Sequence, residues 1–107
     1  MFANTPNPPY YAVIFSSQRT ELDFHDYELM AKLMVELASK QQGFLGVESV
    51  HGENGFGITV SYWESLDAIA KWKKDLSHQK AQKKGKEDWY SAYFTRICKV
   101  ERDYMYP

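Results

Sequence analysis

At 107 residues the chain is long enough for one domain and too short for two with separate cores. Thirteen basic and fourteen acidic side chains leave a formal net charge of −1, so no overall field draws nucleic acid or an anionic membrane, and neither is an expected partner. Hydrophobic residues make up 44% and aromatics 16%, which supports a core and points to a lined cavity, a subunit interface or both. Cys98 is the only cysteine, which excludes an internal disulfide and a cysteine-based metal cluster. The start, MFANTPNPPYY, lacks the basic segment and apolar run of a signal peptide. No apolar stretch approaches the ~20 residues that span a bilayer. The expected location is the cytoplasm.

Residues 1–9 carry three prolines and two asparagines and read as a flexible or draped N-terminal arm. The remainder, 10–107, reads as one domain. Tyr10 to Gln18 is rich in β-branched and aromatic residues and makes a first strand. From Phe24 to Gln41 the residues Tyr27, Met30, Ala31, Met34, Leu37 and Ala38 recur at spacings of three and four, which predicts a one-faced helix. Asp23 is its candidate N-cap and Gly43 its stop.

Phe44 to His51 and Phe56 to Trp63 bracket Gly52-Glu53-Asn54-Gly55, a hairpin connection. On the second of these strands Ile58, Val60 and Tyr62 share one face, and Thr59, Ser61 and Trp63 the other. Ser65 or Asp67 caps a second helix, on which Leu66, Ile69, Ala70 and Lys73 share a face with Trp72 at its edge. Ser77 to Lys84 continues as a further helical piece ended by Gly85. Trp89 to Tyr104 carries the last strand.

Strand, helix, strand, strand, helix, strand is the ferredoxin-like α+β arrangement, a four-stranded antiparallel sheet with both helices on one face. The other face needs a cover. Alternating aromatic residues make a second copy of the sheet the natural one, which predicts a homodimer.

The candidate site residues are aromatic or basic. His78 has the ordinary acidity of a base or proton donor near neutral pH; its structural alternative is a capping or exposed residue at a helix break. Trp63, Trp72 and Trp89 could line the site of a flat aromatic ligand; their structural alternative, the favoured one for Trp63 and Trp89, is core and interface. Tyr62 and Tyr93 could hydrogen-bond a substrate oxyanion, and Arg96 could pair with a carboxylate or enolate, or with Glu64 in a structural ion pair. Cys98 reads as buried and inert. His25, His51 and His78 show no paired spacing, so no metal site is expected. The lysines of KWKK and KAQKKGK read as a solvated face. No phosphate loop, dinucleotide fingerprint or nucleophile elbow is present in the sequence.

Gly43-Phe44-Leu45-Gly46, Ser61-Tyr62-Trp63-Glu64-Ser65, Ala68 to Trp72, His78 and the Gly85 to Tyr93 segment together resemble the antibiotic biosynthesis monooxygenase (ABM) domains. The resemblance covers about residues 10–104. It implies a dimeric α/β barrel with a pocket in each subunit between sheet and helices. It also implies oxygenation of a small aromatic or quinol-like metabolite without metal or flavin, with Trp72 and His78 as the leading catalytic residues. Tyr62, Trp63, Trp89, Tyr93 and Arg96 would then bind substrate.

Other ABM members hold haem through a helix histidine, a first-strand asparagine and a second-helix tryptophan. Trp72 matches that tryptophan, but the ligand position falls on Gln82, with His78 a turn earlier, and the asparagine position on Ser17 or Gln18. The expectation is therefore no cofactor. A non-catalytic ligand-binding or stress-response barrel stands as the alternative function, ahead of haem binding or degradation.

Overall fold

The computed structural model describes residues 2–20, 24–77 and 90–107. Its elements run β1 (Tyr10–Arg19), α1 (Phe24–Ser39), β2 (Phe44–His51), β3 (Phe56–Trp63), α2 (Leu66–Ser77) and β4 (Tyr90–Val100). The four strands form one sheet in the order β2-β3-β1-β4, and every neighbouring pair is antiparallel. This is the ferredoxin-like α+β fold.

Local chemistry sets most boundaries. In the β2–β3 hairpin Gly55 adopts a positive φ of 86°, open to glycine at no steric cost. The Gly52 N–H donates to the Phe56 carbonyl at 2.8 Å, and the Asn54 side chain accepts the Phe56 N–H at 3.1 Å. Helix α1 ends at Ser39, two residues before the expected Gln41. There the Ser39 hydroxyl donates to the Glu36 carbonyl at 2.7 Å, and the next N–H groups bond three residues back, tightening the turn. Gly43 then reverses the chain at φ 89°.

Strand β4 stops at Val100, not at Tyr104. Val100 pairs with Tyr10, where β1 begins, and Pro8 and Pro9 before it have no N–H to extend the ladder. Residues 101–107 therefore run on outside the sheet.

The core lies on one side of the sheet. Trp63 is fully buried, with Ala38 of α1 and Ala68 and Ile69 of α2 around it; Tyr11, Val13, Phe44 and Trp72 pack against this cluster. Both helices thus cover the same face. On α1, Ala31, Met34 and Leu37 are half-buried and Ala38 buried, while Leu29, Leu33 and Val35 are exposed. Tyr27 and Met30 lie outside the described side chains.

On α2 the buried face is rotated from the expected one. Ala68, Ile69 and Trp72 point inward, while Leu66, Ala70 and Lys73 are exposed. Steric fit selects this face: a side chain at Gly43 would come within 2.7 Å of Ala68 Cβ, so the two small residues let α2 approach the start of β2. Ser65 is the helix's N-cap, its hydroxyl accepting the Ala68 N–H at 3.1 Å.

Candidate functional site

Strand alternation sorts every candidate onto one side of the sheet or the other. Val13, Phe15 and Ser17 of β1 oppose Ile97, Thr95 and Tyr93 of β4, and Tyr11 and Val13 oppose Trp63 and Ser61 of β3. All of these face the helices. Tyr10, Ala12 and Ile14 oppose Val100, Cys98 and Arg96 on one flank, and Ala12 and Ile14 oppose Tyr62 and Val60 on the other. These face away from the helices.

Two aromatic groups occupy the helix side. In the first, Trp63 and Trp72 stack at 6.1 Å with planes 27° apart, and Phe44 meets Trp63 edge-on at 5.4 Å. The Trp63 indole N–H donates to the Ser61 hydroxyl at 2.9 Å, so the polar handle of this buried ring is satisfied locally. Trp63 is therefore a wall, and half-buried Trp72 presents the accessible ring. The second group is Phe15, Tyr90 and Tyr93: Phe15 lies 5.4 Å from Tyr90 and 5.5 Å from Tyr93, and the tyrosines are 6.1 Å apart. Val13 links the two groups. It packs on the Trp63 cluster and is two residues from Phe15 on the same face.

Helix α1 packs against β2 and α2 against β3. Among the described residues, the helix side over β1 and β4 carries this second group, where Tyr93 and Ile97 are about half exposed. The strip between Trp72 and the two tyrosines is the candidate site. It offers flat apolar faces for a ring and phenol groups for its oxygens. Phe15 and Tyr90 were not singled out by the sequence reading. Their signal was the alternation Val13-Phe15-Ser17 and the Tyr90, Tyr93 spacing, which only the β1–β4 register brings together.

Tyr62 and Arg96, expected beside Tyr93, are on the opposite side. The Arg96 guanidinium sits over the Phe94 ring at 3.8 Å, a cation–π contact in place of the expected pair with Glu64. Tyr62 donates to Glu48 Oε1 at 2.7 Å and meets Tyr10 edge-on at 5.9 Å. Burial, then the Glu48 carboxylate, pushes its phenol up to about 12. Glu48 Oε2 also accepts the Ala3 N–H at 2.8 Å. The Tyr10 hydroxyl donates to Asp103 and accepts from Thr5 Oγ1 at 3.2 Å; its phenol is raised, chiefly because the bond to Asp103 holds its proton. Cys98 is half-buried on this side opposite Ala12, and not fully enclosed as expected.

His78 and Trp89, together with Asp23, Gln82, Gly85 and the second helical piece expected from Ser77 to Lys84, lie outside the described residues. Among the described side chains the one histidine, His51, is exposed at the hairpin end against Gly57. Of the haem-type features, Trp72 is in place on α2, and the asparagine position falls on buried Ser17 or on Gln18. Ser17 has no amide N–H to offer, and the Gln18 amide donates to the Asn54 carbonyl at 2.8 Å in the turn between β2 and β3. No group of three or more metal-ligating side chains is found among the described residues, and no described helix is long and apolar enough to cross a membrane.

The model of the family described as Monooxygenase af470-like matches residues 18–95, from the end of β1 into β4. The chain belongs to this ABM-type family. Family membership is accompanied by a relative 52% identical over 104 residues, covering 97% of this chain and 90% of its own, the uncharacterised protein YqjZ of Bacillus subtilis. The jasmonate monooxygenase ABM of Pyricularia oryzae is 24% identical over 94 residues, and the match spans 84% of this chain but 43% of that protein.

Among solved structures, the cofactor-independent oxygenase SnoaB of Streptomyces nogalater superposes with a TM-score of 0.71 at 10% identity, covering 88% of this chain and 95% of its own. A Bordetella bronchiseptica protein named for the antibiotic biosynthesis monooxygenases gives 0.70 at 16% identity, covering 92% and 100%. These two likenesses establish the ABM fold alone.

Proposed function

We propose that this af470-like chain is a cofactor-independent monooxygenase of a small aromatic or quinol-like metabolite, acting as a cytoplasmic homodimer. The observation that carries the reading is the strip on the helix side of the sheet, where accessible Trp72 and the tyrosine pair Tyr90 and Tyr93 flank the β1 residues Val13 and Phe15. A flat substrate stacks there, with its oxygens within reach of the phenols.

The chemistry asks little else of the protein. A quinol or activated phenol gives up a proton to a base, the role assigned to His78. The resulting anion passes electrons directly to dioxygen, one oxygen atom enters the ring carbon as a carbonyl, and the other leaves as water. An apolar aromatic strip favours this by excluding water from the reactive anion, and a phenol donor stabilises the charge on oxygen as it develops. Trp89 is assigned to the same site. Tyr62 and Arg96 belong to the face that a second subunit covers.

Oxygen uptake with a panel of quinols and anthrone-like phenols tests the reading. The wild type should consume oxygen with at least one of them. Trp72→Ala and His78→Ala should lose the activity, and Tyr93→Phe should lower it roughly tenfold, as expected when one hydrogen-bond donor to a developing oxyanion is lost. Thermal stabilisation by a quinol with no oxygen uptake would reassign the strip to ligand binding without catalysis.

A further inference from the structure

The cross-strand register places four residues in one row across the sheet: His51 lies opposite Gly57, Gly57 opposite Ser17, and Ser17 opposite Tyr93. Gly57 alternates with Ile58 and so shares the helix side with Thr59, Ser61 and Trp63. It is the gap in the row. A Cβ built there would collide with the His51 ring at Cδ2 and lie 3.0 Å from its Nε2. The imidazole therefore lies across β3, on the glycine backbone and on the helix side. Gly57 is buried, although Phe56 and Ile58 on either side of it are exposed.

This posture carries the ring one strand inward from its own backbone. Adjacent strands are about 4.8 Å apart, so the next side chain along the row is Ser17, and Tyr93 is one strand further. Ser17 is buried and sits two residues from Phe15 on the same face. An imidazole thus reaches the end of the strip where Phe15, Tyr90 and Tyr93 lie.

The oxygenation proposed above moves two protons, and the base that opens it accounts for one. We propose that His51, seated on Gly57, is a second catalytic residue of that site and handles the other proton. The inference rests on the oxygenase reading and adds a residue to it. In its keto form the substrate's reacting ring carbon carries two hydrogens. The first leaves as a proton to the base; the carbanion passes an electron to dioxygen and couples with the superoxide formed, giving a carbon-bound peroxide anion. His51, as imidazolium, protonates the outer oxygen. The neutral ring then takes the second hydrogen as a proton, the C–H electron pair becomes the second C–O bond, the O–O bond breaks and hydroxide leaves. Hydroxide recovers the first proton from the base as water. Both groups return to their starting states, and dioxygen is the sole oxidant. An imidazole suits the task because it takes up and releases a proton near neutral pH.

Oxygen uptake, carbonyl product and peroxide are measured together on the full-length chain with the quinol and anthrone panel. The wild type should form one carbonyl per dioxygen consumed. His51→Gln keeps a planar polar side chain over Gly57 but transfers no proton. Its carbonyl formation should fall roughly hundredfold, with KM within about twofold and substrate hydroperoxide accumulating. Gly57→Ala denies the ring its seat and should act in the same direction; should that variant not fold, His51→Gln decides alone. Imidazole added to His51→Ala should restore turnover in part, which a purely structural cover would not allow.

Full carbonyl yield in His51→Gln beside an active wild type overturns the role of His51 and leaves the oxygenase reading standing. Loss of activity with neither peroxide nor rescue by imidazole overturns it too, and reduces His51 to a cover for Gly57. A wild type that consumes no oxygen with any of the panel removes the oxygenase reading and this inference with it.

Discussion

Tyr10 and Tyr62 carry their hydroxyls on the side of the sheet away from the helices, each donating to a carboxylate. Burial and Glu48 push the Tyr62 phenol from its ordinary 10.0 to about 12, so the folded chain favours the neutral phenol. Its contribution to stability is complete below pH 10 and is lost as pH climbs from 10 through about 12. Tyr62→Phe should cost about 1 kcal/mol near neutral pH, because Glu48 keeps its bond from Ala3. Denaturant unfolding should show the gap between variant and wild type closing as pH rises through that window. Gly43 makes a different demand. Its φ of 89° and the 2.7 Å approach to Ala68 both act against a side chain, and Gly43→Ala should lower the unfolding free energy by about 3 kcal/mol. Neither Glu48 nor Ala3 stood out in the sequence, since a carboxylate on a strand and an alanine among prolines carry no local signal of meeting across 45 residues.

Elements were legible where their ends are encoded in the chain itself. Strands β2 and β3 run as expected because the Gly52–Gly55 turn fixes both inner ends, and α2 starts as expected because Ser65 caps it. Ser65→Ala should cost about 1 kcal/mol in urea or thermal unfolding, with the rest of the structure unchanged. Where another element decides, the sequence was silent. β4 ends at Val100 because β1 begins at Tyr10 opposite it, although nothing from Glu101 to Tyr104 breaks a strand. The buried face of α2 likewise follows from the fit of Ala68 over Gly43 and Trp72 over Trp63. Helical spacing put Leu66, Ile69, Ala70 and Lys73 on one face, and of these Ile69 alone is buried, because spacing does not register the shape of what a side chain lands on.

For the whole molecule, the sheet is a partition. On one side the helices, Trp63 and Trp72 make the core and, with Phe15, Tyr90 and Tyr93, the candidate site; on the other lie the carboxylate-held tyrosines and the exposed Val50, Phe56, Ile58 and Phe94. The sequence supplied the residue types for both sides, and period-two alternation even separated Tyr62 from Trp63. It did not supply the cross-strand register. Pairing Ser17 with Tyr93 and Ile14 with Arg96 is a property of two strands far apart in the chain, and it is what takes Arg96 away from Tyr93. Register across the sheet, more than any single motif, determines which of the aromatic residues can meet one substrate.

Strand β3 lies inside the sheet, with β2 on one flank and β1 on the other, and its successive side chains answer to different neighbours. A scan of single substitutions from Ile58 to Trp63 should therefore give two interleaved records. Ile58, Val60 and Tyr62 should report through sedimentation, and Thr59, Ser61 and Trp63 through ligand affinity and thermal stability. Such an interleaved strand lets substitutions tune how tightly copies associate while leaving the ligand's surroundings alone, one residue apart on the same backbone.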